Sequence, residues 1–458
     1  MQPPNPTGVS LDSSKSPTEY RVCVADTPEQ LAGQVTEQLS QGWHLHGYPF
    51  VDLQFQSNGN GRQLSGNLFC QAMVRTPIAA PVAKATVRAT PAVRPERPKV
   101  PATFRGVATF LAVLVCGYLI AEFLFFRSGF YTRYLEPESS TGSFEGTFRL
   151  EKNRAPTHKK EVLVVGSSRL AEGFSAKLSD RYKPEDGYRF FNCAVPSSGA
   201  RTFYYQIRDL DPQRNRYAAI AIPIDDFNDL DDIEDVADRV SDIRLEINRL
   251  RVTDIVPYTL SFTRWKSRRE ILRGVLFKGT VYQLDLADFI EHPTERLARV
   301  KMFRENAGGW GYDYGGIERN LAGLNVDWTT RHATYPPGMP EDQRRFLENV
   351  FFEKHLQRGR NRDFEVRWLG LLVDRYRDSK TKIIIFQPPR GPFPRPSPNL
   401  PWTAVDELRK RSWVTIIDSH KFESLEKPEL FADHVHLNSE GRKIFTPMFV
   451  DAVKEVVH

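Results

Sequence analysis

Residues 162–174 read VLVVGSSRLAEGF: an apolar run, a glycine, two serines and then a helix-compatible stretch. A short apolar run without polar alternation is what a strand covered on both faces requires. Gly166 permits a tight turn at its end, and a helix starting behind Ser168 turns amide N–H groups toward the same edge. In an open α/β sheet that edge is where ligands bind. Four further runs share the pattern: YRFFNCAV from Tyr188, YAAIAIPID from Tyr217, KTKIIIFQPP from Lys380 and WVTIID from Trp413. Their alternation with helical stretches predicts an α/β domain built on an open parallel sheet. The long span between the third and fourth strands, about residues 230–380, reads as an insertion over the active edge. It contains a helical stretch, DQRRFLENVFFEKHLQRG (342–359), and an aromatic, Gly-rich loop, GGWGYDYGGIERN (308–320).

The other end of the domain carries FADHVHLNSEGRKIF, residues 431–445. Asp433 and His436 have the spacing that lets a carboxylate orient an imidazole, and a base held in this way serves a nucleophile elsewhere in the chain. Ile444, Phe445, Met448, Phe449, Ala452, Val453 and Val456 form an apolar stripe, which predicts a final helix packed on the sheet with Asn438 or Ser439 as its cap. His434 is expected to point away from the sheet. The further His and Asp spacing of common metallohydrolases is missing, so no metal is expected.

Ser168 in a Gly-x-Ser turn after the first strand, followed far downstream by DHVH, resembles the SGNH/GDSL hydrolases. The resemblance covers roughly residues 160–458. It implies a flavodoxin-like fold, with Ser168 as nucleophile, His436 as general base, Asp433 as its orienting carboxylate and no cofactor. It also implies an oxyanion hole from the N–H groups of Ser168 and Ser197 and the side chain of Asn228. Two blocks depart from the family pattern: Ser197 stands at the place of a glycine, with Gly199 two residues later, and Asp226-Phe227-Asn228-Asp229 replaces Gly-x-Asn-Asp. An earlier strand end would put Asp225 at the third-block position, and 225–232 also reads as a plain acidic loop. Arg169 is expected to contact an anionic substrate or a neighbouring carboxylate. Trp310, Tyr312, Tyr314 and Trp402 suit stacking on sugar rings or loop packing.

These departures, with an apolar anchor and a long insertion, are more similar to the envelope branch of the superfamily. That branch includes alginate and peptidoglycan O-acetylation proteins and D-alanyl transfer proteins. The resemblance then implies a serine acyl-esterase or O-acyltransferase acting on acetyl-type esters of an envelope or exported polysaccharide, beside a multi-pass membrane-bound O-acyltransferase. The alternative is a catalytically inactive SGNH-like binding or assembly subunit of a polysaccharide export complex.

The anchor is GVATFLAVLVCGYLIAEFLFF, residues 106–126, apolar except for Glu122 and about one bilayer long. Basic residues from Lys84 to Arg105 precede it, so the positive-inside rule places the N-terminus in the cytoplasm and residues 127–458 in the periplasm of a Gram-negative bacterium. Before it lie a lead-in (1–18), a small βαββ domain (19–76) and a Pro/Ala/Arg linker (77–105). Tyr20–Arg75, with YRV, GW and QAMV, resembles a small bacterial domain family of unknown function. His44 and His46 alternate there as strand surface positions. The 458-residue chain carries 63 basic and 57 acidic residues, interleaved for a net charge of +6, which argues for a mixed solvated surface and against nucleic acid. Cys23, Cys70, Cys116 and Cys193 are too scattered for a zinc site or a disulfide framework.

Overall fold

The computed structural model describes residues 19–25, 28–41, 44–58, 61–75, 104–224, 236–305, 314–352, 360–393 and 403–457. The chain divides into two compact units, Met1–Pro101 and Ala102–His458. The first holds, in βαββ order, β1 (Glu19–Ala25), α1 (Pro28–Ser40), β2 (His44–Asn58) and β3 (Gly61–Arg75). Its sheet is antiparallel with β3 in the centre, pairing Cys23 with Gln71 on one side and Val51 with Phe69 on the other. His44 and His46 stand opposite Val74 and Ala72 at the start of β2.

The second unit opens with α2 (Phe104–Ala121), which continues into a π-helical turn, Glu122–Arg127. Among the described residues no helix is long and apolar enough to cross a membrane. The expected span 106–126 is helical, but the domain claims its end. Glu122 is 3 % exposed and accepts the N–H groups of Lys278 at 2.5 Å and Gly279 at 2.9 Å. Phe126 packs against the rings of Tyr131 and Tyr282. A carboxylate at the end of an apolar helix finds its partners in protein amides, so Glu122 and Phe126 belong to the folded domain, while Phe123, Leu124 and Phe125 between them are exposed. Phe110, Val113, Leu114, Leu119 and Ile120, further back, are exposed.

Helix α3 (Ser140–Asn153) leads into the sheet. Strand β4 (Lys160–Val164) is followed by α4 (Ser168–Gly173), β5 (Tyr188–Asn192), α5 (Ala200–Leu210) and β6 (Ala219–Pro223). The insertion contributes α6 (Pro293–Glu305), a hairpin of β7 (Asn325–Asp327) and β8 (His332–Thr334), and α7 (Glu341–Phe352). Then come α8 (Arg360–Asp374), β9 (Lys382–Phe386), β10 (Val414–Ile416) and α9 (Ser439–Val457). The five strands are parallel in the order β10-β9-β6-β4-β5, the flavodoxin-like arrangement with its switch point between β4 and β6.

Alternate residues of these strands feed two cores. Leu163, Ile220, Ile222, Ile383 and Ile385 pack against Phe203 and Ile207 of α5 and Trp368, Leu369 and Leu372 of α8. Val162, Val164, Ala221, Ile384 and Phe386 pack against Leu170 of α4 and Phe445, Phe449 and Val453 of α9. The result is a three-layer sandwich with helices on both faces. Two expectations shift: α8 is a core-covering helix rather than part of the insertion, and Ile444 of the expected stripe is exposed while Val450 is buried.

Candidate active site

The carboxyl end of β4 is fastened before it delivers Ser168. Gly166 O accepts the N–H of Val195 and the Ser198 hydroxyl, both at 2.8 Å, which joins the turn after β4 to the turn after β5. A Cβ on Gly166 would sit 2.9 Å from three atoms of the Leu170 side chain, so the position is closed to anything larger than glycine without repacking. Ser167 takes the cap position of α4, its carbonyl receiving the N–H groups of Leu170 and Ala171. Asn192 clamps the helix from below through the carbonyls of Leu170 (3.1 Å) and Phe174 (2.9 Å). Ser168 is therefore the first residue of α4, and its N–H has no acceptor within the helix.

The 431–437 loop closes on itself. Phe431 and Leu437 form an antiparallel bridge, and Ala432 N–H donates to His436 O at 2.8 Å. Asn438 caps α9, accepting the N–H groups of Glu440 and Gly441, and anchors its amide on Glu429 O. Inside this frame Asp433 Oδ1 accepts the N–H groups of Val435 and His436, while Oδ2 lies 2.8 Å from His436 Nδ1. His436 Nε2 lies 2.7 Å from Ser168 Oγ. Burial alone would raise the Asp433 carboxyl. The hydrogen bond and charge of His436 and the two amides outweigh it and hold the group well below the usual carboxylate range. Serine, imidazole and carboxylate thus stand in one hydrogen-bonded line across 268 residues of sequence.

Ser197 adopts φ +64°, a left-handed conformation that glycine takes at no steric cost. Its carbonyl is held by an Arg239 guanidinium nitrogen at 2.8 Å, and Arg239 is itself gripped by Asp242 at 2.6 Å. Neither Arg239 nor Asn192 is marked by any local motif, so sequence reasoning passed over both. Arg169, expected to meet substrate or a carboxylate, donates to the carbonyl of Arg390 and ties the turn after β4 to the loop after β9. Arg319, from the insertion, lies 3.8 Å from Asp433 Oδ2. His434 turns to the ring of Phe346 on α7, and burial pulls its imidazole below the usual value. Tyr314 lies under the Arg442 guanidinium, and burial and Glu172 push its hydroxyl up to about 12. Asp225, Asn228, Trp310, Tyr312 and Trp402 lie outside the described residues. Among the described residues no three His, Cys, Asp or Glu side chains gather as a metal site would require.

Residues 18–61 match DUF1737, a domain of unknown function. The match lies in the βαββ module and does not reach the serine, histidine and aspartate described above. No curated protein matches the chain.

Proposed function

We propose that residues 127–458 form an SGNH-type serine acyl-esterase or O-acyltransferase acting on acyl esters, acetyl foremost, of an envelope or exported polysaccharide. The observation that carries this reading is the 2.7 Å approach of His436 Nε2 to Ser168 Oγ, with Asp433 2.8 Å behind the ring. His436 takes the Ser168 proton as Oγ bonds to the acyl carbon. The tetrahedral oxyanion is received by the N–H groups of Ser168 and Ser197 and by Asn228. The C–O bond to the departing alcohol then breaks, the alcohol leaves with the proton from His436, and acyl-Ser168 remains. Water or a sugar hydroxyl, deprotonated by His436, attacks that ester and frees Ser168. No cofactor takes part.

In the same proposal the apolar stretch 106–126 anchors the chain in the bacterial inner membrane, with the N-terminus cytoplasmic and the sandwich periplasmic, although no helix among the described residues is by itself long and apolar enough to cross it. Its exposed Phe110, Val113, Leu114 and Ile120 support this. The acyl donor is supplied beside a multi-pass O-acyltransferase. The non-glycine Ser197 at positive φ favours a second reading, an inactive SGNH-like subunit of an export complex.

Partitioning separates the chemistries. The chain is incubated with p-nitrophenyl acetate, with and without acetyl-free oligosaccharides. Nitrophenol release that depends on Ser168 supports the enzyme reading, and acetyl recovered on the sugar rather than as acetate identifies a transferase. Equal release by Ser168→Ala would sink the assignment.

A further inference from the structure

Between α3, α6 and the free edge of β5 lies a cavity of about 760 Å³, within the range that holds one small ligand. Strand β5 ends the sheet order and, among the described residues, has a neighbour on one side only, so its outer edge forms one wall. Leu135 and Val300, both buried, and the ring of Phe303 supply apolar lining. Helices α3 and α6 cross closely at its side, where a Cβ on Gly146 would stand 2.4 Å from the Phe303 ring.

Five arginines line this space with Glu151 and Asp180; Arg154 is paired with Glu151 and Glu161 and Arg189 with Asp180, which leaves the guanidinium groups of Arg133, Arg149 and Arg304. Their neighbours are neutralised: Arg296 pairs with Glu136, Asp285 and Asp288, Arg299 with Glu136, and Arg249 with Glu145. Among the described residues none of the three has a carboxylate within the 4.0 Å of an ion pair. Arg149 donates to the Thr132 hydroxyl and Arg304 to the carbonyl of Arg133, bonds that leave their charge uncompensated. Arg149 is half-buried on α3, and burial lowers its guanidinium below its usual value. Glu145 opposes that shift, and Arg133, Arg304 and Arg249 add to it. Gathering like charges around a partly desolvated cavity is costly unless an anion completes the set.

We infer that this cavity binds an anionic amphiphile, its carboxylate or phosphate head among Arg133, Arg149 and Arg304 and its apolar body along Leu135, Val300 and Phe303. Guanidinium forks suit either head group. Ser168 is not among the residues that line the cavity, and the inference does not depend on the acyl-transfer reading. A membrane lipid and a soluble long-chain acid share the required chemistry.

The test is equilibrium dialysis of dodecanoate, below its micellar concentration, against the full chain stripped of lipid. One molecule is expected to bind per chain, with octyl glucoside and inorganic phosphate competing poorly because each lacks one half of the ligand. Arg133→Gln and Arg304→Gln alter exposed side chains, so folding is not at risk, and the double variant should bind at least about tenfold more weakly. Arg149→Lys should retain most of the affinity that Arg149→Gln loses, and Ser168→Ala should bind as wild type. Mass spectrometry of an organic extract of the unstripped chain distinguishes the sources: an anionic lipid points to the membrane, and its absence alongside dodecanoate binding points to a soluble acid. Affinity unchanged by the arginine replacements, or octyl glucoside competing as well as dodecanoate itself, would overturn the inference.

Discussion

Asp433 accepts three hydrogen bonds with one carboxylate, from two amides and from His436. A carboxyl held this way keeps its charge where an ordinary aspartate, near pH 3.9, would begin to lose it. Its folded value is depressed, so its contribution to stability is complete above the unfolded value and fades as pH falls through the folded one. The stability difference between wild type and Asp433→Asn, followed by denaturant unfolding, should be constant above about pH 5 and shrink below about pH 4. A difference flat into the acid range would contradict this. The same variant should lose ester hydrolysis by on the order of 10²–10⁴-fold, because the imidazole loses its orienting anion. Ser197 is exposed and already left-handed. Ser197→Val places a β-branched residue where L side chains are strained, at a cost of about 1–2 kcal/mol by thermal unfolding, and should slow turnover by moving the N–H group. A variant as stable and as active as wild type would show that the turn relaxes freely.

The loops at the sheet edge are coupled as elements. Gly391, in the loop after β9, lies against the 431–437 loop so closely that a Cβ would fall 2.4 Å from the carbonyl of His434. Gly391→Ala must therefore push on backbone between Asp433 and His436. Hydrolysis should fall by about tenfold or more, since misplacing a catalytic group by about 1 Å has that scale of effect, and the melting temperature should fall with it because the clash is with backbone. Unchanged kinetics would show the loops to be independent. The sheet was legible because β4, β6 and β9 are apolar nearly throughout, as strands covered by helices on both faces must be. The ends of the triad were legible because Gly166 and the Asp433–His436 spacing are local signals. Arg239, Asn192 and Arg319 were not, since each acts across tens to hundreds of residues through a single long side chain or amide. Helix α8 is not separable from the insertion by sequence, because an amphipathic helix looks the same there whether it covers the sheet or decorates it. Glu122 stands in sequence only as the exception in an apolar span, because its partners, the amides of Lys278 and Gly279, lie 156 and 157 residues away.

At the scale of the whole molecule, the chain divides at Pro101 into a small antiparallel module and a large α/β unit with its own cores. Every residue assigned to chemistry lies in the second unit. Removing residues 1–101 should leave the hydrolysis rate within about twofold and the main unfolding transition in place, and a collapse of either would show that the module supports the sandwich. The central claim concerns one oxygen atom. It is tested most directly by treating the full chain with a fluorophosphonate probe and mapping the adduct by mass spectrometry in wild type, Ser168→Ala and His436→Ala. Labelling of wild type at Ser168, lost in Ser168→Ala and reduced by at least about 10³-fold in His436→Ala, is the expected result. A folded wild-type chain that stays unlabelled, or a probe attached equally well in all three, would contradict it.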